Sequence, residues 1–235
     1  MNNDLLKFYT VIVGLVIAIV GCQTEKIQQP ALIPLPQQLE WNGQKFNLAD
    51  SSTRFVQRLV SQINGVVLNQ EEAYTLEVTN DSLVLSAITP TGLFRGMQTL
   101  RQLTSFEKGK RMVSGCSITD WPAFRIRGFM QDVGRNFQPV KMLKEQIDVL
   151  AAYKMNVFHF HVTDDPGWRL ESKIYPQLTD PATMSRWPGK YYTQDDFREL
   201  VAYCSERHIT LIPEFDVPGH STAFKIGRAS CREIV

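Results

Sequence analysis

Asn156-Val157-Phe158-His159-Phe160-His161-Val162-Thr163-Asp164-Asp165 decides how this chain reads. Its first part is aromatic and β-branched, which suits a strand. Its last part is a pair of carboxylates at that strand's end. Two comparable runs flank it. Arg127-Gly128-Phe129-Met130-Gln131-Asp132 leads to Arg135, and Ile209-Thr210-Leu211-Ile212-Pro213-Glu214 leads to Asp216 and His220.

Helical patterns separate the three runs. The first helix is predicted to begin at Pro139, a favoured first-turn residue, with Val140, Leu143, Ile147 and Leu150 as its buried stripe. Lys141–Glu145 and Lys144–Asp148 are spaced as i,i+4 pairs facing water. The second has Thr193 as N-cap with Asp196 at capping-box spacing. Phe197, Leu200, Val201 and Cys204 form its inner face, and Arg207 and His208 are placed in its last turn, where the helix dipole favours positive charge. Strands alternating with helices pair in parallel through right-handed crossovers. In (β/α)₈ barrels, polar groups gather for chemistry at the C-terminal strand ends. The predicted class is therefore α/β: the N-terminal part of a (β/α)₈ TIM barrel, about three βα units, preceded by a small α+β domain.

That preceding stretch carries its own signals. Tyr74 to Val78 alternates, Asn80-Asp81 turns and Leu83-Val84-Leu85 returns, which predicts a hairpin. Phe94, Met97, Leu100 and Leu103 recur at helical steps, which predicts a helix packed on that sheet. Thr119-Asp120-Trp121-Pro122 marks the boundary with the barrel. The expected domains are 34–122 and 123–225.

Composition excludes some functions. A net charge of +1, with basic residues scattered, offers no electrostatic case for nucleic acid or for an anionic membrane surface. The N-terminus points elsewhere. Phe8 to Val20 is apolar and follows Lys7, as in a secretory signal. It ends Ile19-Val20-Gly21-Cys22, the pattern of a bacterial lipoprotein processing site with Cys22 as the acylated residue; a plain signal peptide with an incidental cysteine is the alternative. Residues 1–21 are then the signal and 22–33 a tether. Gln23, rather than an acidic residue, favours the outer membrane. Cys204 reads as a small core residue, and no paired-cysteine or zinc spacing occurs.

The candidate site residues each have two readings. His159 and His161 share one face of a strand; they form either a metal pair or two hydrogen-bonded histidines in a barrel wall, and a chain with 4 histidines favours the second. Of Asp164 and Asp165, one is expected to be functional and the other to cap the loop. Pro218-Gly219 forces a turn that carries His220 over the barrel mouth, where it serves either a catalytic carboxylate or the turn itself. Arg135 offers fixed donors for adjacent sugar hydroxyls or a carboxylate, or else pairs with Asp132.

Taken together, Asp132-Val133-Gly134-Arg135-Asn136-Phe137, His159 to Asp165 with Gly167-Trp168-Arg169, and Pro213-Glu214-Phe215-Asp216-Val217-Pro218-Gly219-His220 resemble glycoside hydrolase family 20, the β-N-acetylhexosaminidases. Pro34-Leu35-Pro36 and Phe94 to Leu100 resemble the small domain preceding the barrel in that family. The resemblance implies hydrolysis of terminal β-linked GlcNAc or GalNAc with retention, the substrate's own 2-acetamido oxygen acting as nucleophile, and no cofactor. It implies that Arg135 grips the sugar's O3 and O4 hydroxyls, that Asp164 and His220 support the acid glutamate, and that Asp216 lies near the site.

Two departures stand out. Asn136 occupies a position usually held by histidine. The family's Asp-Glu acid pair, expected beyond the third strand, is absent, as no Asp-Glu dipeptide occurs in the chain. Residues 226–235 break the family pattern and resemble translated adaptor sequence, so a non-native tail is expected, and the 235-residue chain alone is expected to be inactive. The rival readings are a metal-dependent barrel hydrolase using His159 and His161, and a non-catalytic glycan-binding surface lipoprotein.

Overall fold

A computed structural model describes residues 29–50 and 54–224. The expected signal, the tether up to residue 28, Cys22, Cys231 and the expected tail lie outside the described residues.

Among the described residues there are two main sheets and a separate two-stranded hairpin. The first has 6 strands: β1 (Gln38–Asn47), β2 (Arg54–Leu59), β3 (Tyr74–Val78), β4 (Ser82–Ala87), β5 (Thr104–Glu107) and β6 (Lys110–Asp120), in the order β1-β6-β3-β4-β2 with β5 also on β6. The expected hairpin is β3–β4, antiparallel, with Leu76 opposite Leu85. Period-two alternation turns Tyr74, Leu76 and Val78 inward, where they are buried with Leu83 and Leu85. Helix α1 (Pro90–Leu103) covers this face. Thr89 caps it by accepting from the Gly92 amide at 3.2 Å, and Pro90 opens it. Leu100 and Leu103 pack on the sheet as expected, whereas Phe94 turns to the other core, because the helix lies between the two sheets and presents a stripe to each.

The second sheet is parallel: β7 (Gly128–Asp132), β8 (Val157–His161) and β11 (Thr210–Glu214), in the order β11-β8-β7. A short hairpin, β9 (Thr163–Asp164) with β10 (Gly167–Trp168), follows β8. Helix α2 (Val140–Ala152) connects β7 to β8, and α3 (Gln194–Ser205) precedes β11. Phe158 and Phe160 point at the helices and are buried with Leu143, Ile147, Leu200 and Cys204. The opposite face carries Met130, His159 and Ile212 in one register layer, and Asp132, His161 and Glu214 in the next. This is the alternating βα arrangement of the N-terminal part of a barrel.

Several local expectations need correction. Pro139 is the N-cap of α2 and not its first residue. The buried stripe of that helix is Leu143, Ile147 and Ala151, while Val140 and Leu150 are partly buried. Lys144 pairs with Glu199 on α3, and Asp148 accepts from Arg207 at 2.6 Å and Tyr203 at 2.9 Å, so neither supports α2 internally. Packing α3 beside α2 puts opposite charges closer across the groove than along one helix. Val201 lies on the flank of its stripe and is exposed. Arg207 and His208 lie past the end of α3, where His208 has a left-handed φ of 54°. The capping box of Thr193 and Asp196 is present in full.

A polar seam joins the two sheets. Glu72 accepts from Arg95 at 2.7 Å, from Asn156 at 3.1 Å and from Arg127. Lys154 reaches Asp120 at 2.8 Å and the Tyr74 hydroxyl at 2.9 Å. All of these except Arg127 and Asn156 are buried. Burial raises the Glu72 carboxyl, but hydrogen bonds and charge from Arg127 and Arg95 outweigh it and leave the net shift downward. Burial lowers the Lys154 ammonium against the pull of Asp120. A cavity of about 310 Å³ opens onto this seam, lined by Trp121 and Phe124 among others; it lies at the N-terminal ends of the parallel strands, away from the carboxylates at their C-terminal ends.

Candidate active site

The site is built where β7, β8 and β11 end. Asp132 and His161 are paired in register across β7 and β8, and Glu214 faces His161 from β11. A turn at Val133-Gly134, both of whose amides donate to the His161 carbonyl, brings Arg135 back towards β8. The Arg135 amide donates to Asp132 Oδ1 at 3.0 Å and its guanidinium to Asp132 Oδ2 at 2.7 Å. The same guanidinium lies 2.7 Å from Asp164 Oδ2. Arg135 therefore makes both the local pair with Asp132 and the long-range pair with Asp164. Asp132, and to a lesser degree Asp164 and Asp216, hold its positive charge more firmly than in water.

Asp164 is 2% exposed, against roughly half exposure for the Arg135 side chain. It is held by the β9–β10 hairpin and by close packing with Gly134, where a β-carbon would stand 2.8 Å from Asp164 Cβ. His220 arrives on the loop after β11 with a left-handed φ of 52°, a conformation unusual for a side-chain-bearing residue. Its Nδ1 lies 3.7 Å from Asp164 Oδ1 and 3.3 Å from Arg135 Nη2. Arg135, Asp164 and His220 thus stand together although they come from three different strand ends.

A second cluster lies beside the first. His161 is flanked by Asp132, 3.4 Å from Nδ1, and Asp216, 3.1 Å from Nε2. The Asp216 amide donates to Thr163 Oγ1 at 3.2 Å. His159 pairs with Glu214 at 2.6 Å. The two histidines that share a face therefore serve different carboxylates. Among the described residues, ligand-like groups within 4.8 Å of one another are Asp132–His161–Asp164, His161–Glu214–Asp216 and Asp164–Asp165–His220; His159 belongs to none of them. Asp165 accepts from the Thr222 amide at 3.0 Å, tying the His220 loop to the end of β8.

Sequence reasoning underrated two residues. Asp132, which the sequence gives a partner role only towards Arg135, bridges Arg135 and His161. Arg169, noted only within a motif, is completely buried beneath the Arg135 turn. The available signal was an arginine placed between Trp168 and Leu170.

Comparison with known proteins decides the family. Residues 124–231 match the glycosyl hydrolase family 20 catalytic domain, and residues 51–121 match domain 2 of the same family. The chain belongs to glycoside hydrolase family 20. Among family 20 relatives, it is 41% identical over 167 residues to a β-hexosaminidase of Vibrio furnissii, covering 65% of this chain and 27% of that protein. It is 36% identical over 209 residues to a β-hexosaminidase of Akkermansia muciniphila, covering 85% and 40%. Its fold is similar to the family 20 exo-β-N-acetylglucosaminidase of Vibrio harveyi, solved in complex with N-acetylglucosamine, with a TM-score of 0.75, 30% identity and coverage of 82% of this chain and 37% of that one. The chain thus spans about a quarter of the first of these relatives.

Proposed function

We propose that this chain supplies the sugar-gripping half of an exo-acting β-N-acetylhexosaminidase, which hydrolyses terminal β-linked GlcNAc or GalNAc by the substrate-assisted retaining mechanism. The observation that carries the reading is the convergence of Arg135, Asp164 and His220 at the C-terminal ends of parallel strands. Charge supports the substrate class. Asp132, Asp164, Asp165, Glu214 and Asp216 surround the mouth, with Arg135 as its fixed cation. Such a field repels anionic ligands and suits a neutral, polyhydroxylated ring whose hydroxyls can both donate and accept.

In this reading, the Arg135 guanidinium donates to adjacent sugar hydroxyls while Asp132 and Asp164 fix its plane. Asp164 and His220 together stand beside the leaving-group oxygen and support the acid that protonates it. The acid glutamate and its neighbouring aspartate are carried outside these 235 residues, so the chain alone does not turn over. Residues 123–225 act as the first part of the catalytic barrel and 34–122 as its supporting domain. The apolar run before Cys22 supports a lipid-anchored protein of the bacterial envelope.

The test is a kinetic assay on the protein that joins this chain to the rest of its barrel. Release of p-nitrophenol from its β-GlcNAc glycoside, with the β-anomer formed first by NMR and no loss to chelators, is expected. Chelator-sensitive turnover would favour a metal-dependent hydrolase, and tight GlcNAc binding without turnover a glycan-binding protein. Metabolic labelling with palmitate, lost in Cys22→Ser, tests the anchor.

A further inference from the structure

Arg169 carries its charge into a fully buried position among backbone carbonyls. Its Nε donates to Val133 at 3.2 Å. Its Nη2 donates to Gly134 at 3.1 Å and to Arg186 at 2.8 Å. Its Nη1 donates to Trp187 at 3.2 Å and Lys190 at 3.1 Å, beside the Met184 sulfur. Among the described residues no carboxylate pairs with it. A buried cation with no carboxylate in direct contact, only the more distant charge of Asp132, is costly, and a neutral amide could close one loop at lower cost. What the guanidinium adds is a rigid fork that joins two segments at once: the Val133–Gly134 turn and the loop over 186–190.

That turn ends at Arg135. Gly134 is wedged between the Arg169 guanidinium, which takes its carbonyl, and Asp164, whose Cβ a Gly134 β-carbon would meet at 2.8 Å. From the other side, Gly167 lies so near Arg169 that a β-carbon there would stand 2.5 Å from Cζ. Gly167 is itself paired with Asp164 in the β9–β10 hairpin. The guanidinium of Arg169 is therefore held between the backbone that presents Arg135 and the backbone that presents Asp164.

We propose that Arg169 is a positioning residue that sets where Arg135 stands relative to Asp164, and so determines how strictly the hydroxyls of a terminal N-acetylhexosamine are recognised. The proposal rests on the hexosaminidase reading given above. It touches no substrate atom and acts through Gly134.

The experiment compares p-nitrophenyl β-GlcNAc with its 4-deoxy analogue in the complete protein and in Arg169→Lys and Gly167→Ala variants. A shift of about 1 Å in a positioning group costs up to roughly a hundredfold in rate. We expect KM for the GlcNAc substrate to rise roughly tenfold in Arg169→Lys with kcat changed far less, the signature of lost ground-state binding. Preference for the 4-hydroxylated substrate should collapse in both variants. A merely structural role would lower the folded fraction and reduce turnover of the two substrates equally, leaving the preference intact; that result would overturn the proposal. Gly167→Ala keeps the charge and carries the comparison if Arg169→Lys fails to fold. If the unsubstituted protein hydrolyses neither substrate, the hexosaminidase reading fails by itself. The crystal structure of Arg169→Lys or Gly167→Ala then decides the positional claim: an Arg135 guanidinium that leaves its 2.7 Å contact with Asp164 sustains it, and one that stays refutes it.

Discussion

Arg135 Nη2 lies 2.7 Å from Oδ2 of Asp164, so a half-exposed guanidinium after β7 is anchored on a buried carboxylate after β8. The Asp164 oxygen is shielded from water, and its contact with Arg135 is one of charge and proximity rather than of hydrogen-bond direction. The pair fixes the guanidinium while about half of the side chain, 48%, stays exposed. Replacing Asp164 by Asn keeps the shape and removes the charge. Loss of a charge-assisted contact costs about 1.5–3 kcal/mol. In the complete protein, Asp164→Asn should therefore lower kcat/KM for an aryl GlcNAc glycoside by roughly ten- to a hundredfold. Steady-state kinetics check this, with near-UV circular dichroism confirming that the fold is retained.

The seam between the sheets should dominate stability over the surface ion pairs. Glu72 is buried and serves Arg95, Arg127 and Asn156 together. Glu72→Gln strands two guanidinium groups, and breaking a buried pair from one side costs about 3–5 kcal/mol. Glu199, half exposed on α3, meets Lys144 across the helix groove. Its replacement by Gln should cost less than about 1 kcal/mol. Urea denaturation of the two variants of the complete protein, read against the unsubstituted form, gives both numbers.

Acid should weaken the fold in two stages. Burial, aided by the Arg95 charge, lowers the His208 imidazole below its ordinary 6.5. The unfolded chain then takes up that proton first, so stability falls as pH drops below 6.5. Glu72 is held below 4.5 in the folded state, so its contribution is complete above 4.5 and is lost as pH falls through the folded value. Urea midpoints measured from neutral to acid pH should decline through both windows. His208→Asn should flatten the upper one and leave the lower one unchanged.

The 235 residues alone should hydrolyse no aryl GlcNAc glycoside. In the proposed reading Arg135, Asp164 and His220 bind and orient the sugar, and no Asp-Glu pair exists in the chain to protonate a leaving oxygen. An overnight assay at high protein concentration checks this; turnover abolished by a substitution within these residues would place the acid among them.

Much of this was legible in the residues themselves. Phe158 and Phe160 alternating with His159 and His161 state which face of β8 packs and which lines the barrel, because a strand has a period of two. Thr193 and Asp196 state where α3 begins, because the capping box is local chemistry. What escaped depended on distant packing. Lys144 and Asp148 have ideal spacing along α2, yet α3 brings Glu199 and Arg207 nearer. Phe94 fits the stripe of α1 but serves the other core. Arg169 looked like one polar residue after a tryptophan, since nothing local shows that carbonyls from two loops will surround it. Motif residues such as Arg135 could be singled out one by one, while their mutual distances required the fold.

The central claim is that Arg135, Asp164 and His220 face one N-acetylated sugar. A crystal structure of the complete protein with GlcNAc tests it most directly. The account predicts the sugar ring at the ends of β7, β8 and β11, with hydroxyls hydrogen-bonded to the Arg135 guanidinium and Asp164 and His220 alongside. A sugar seated elsewhere, with Arg135 still engaged by Asp132, Asp164 and His220 alone, would contradict it.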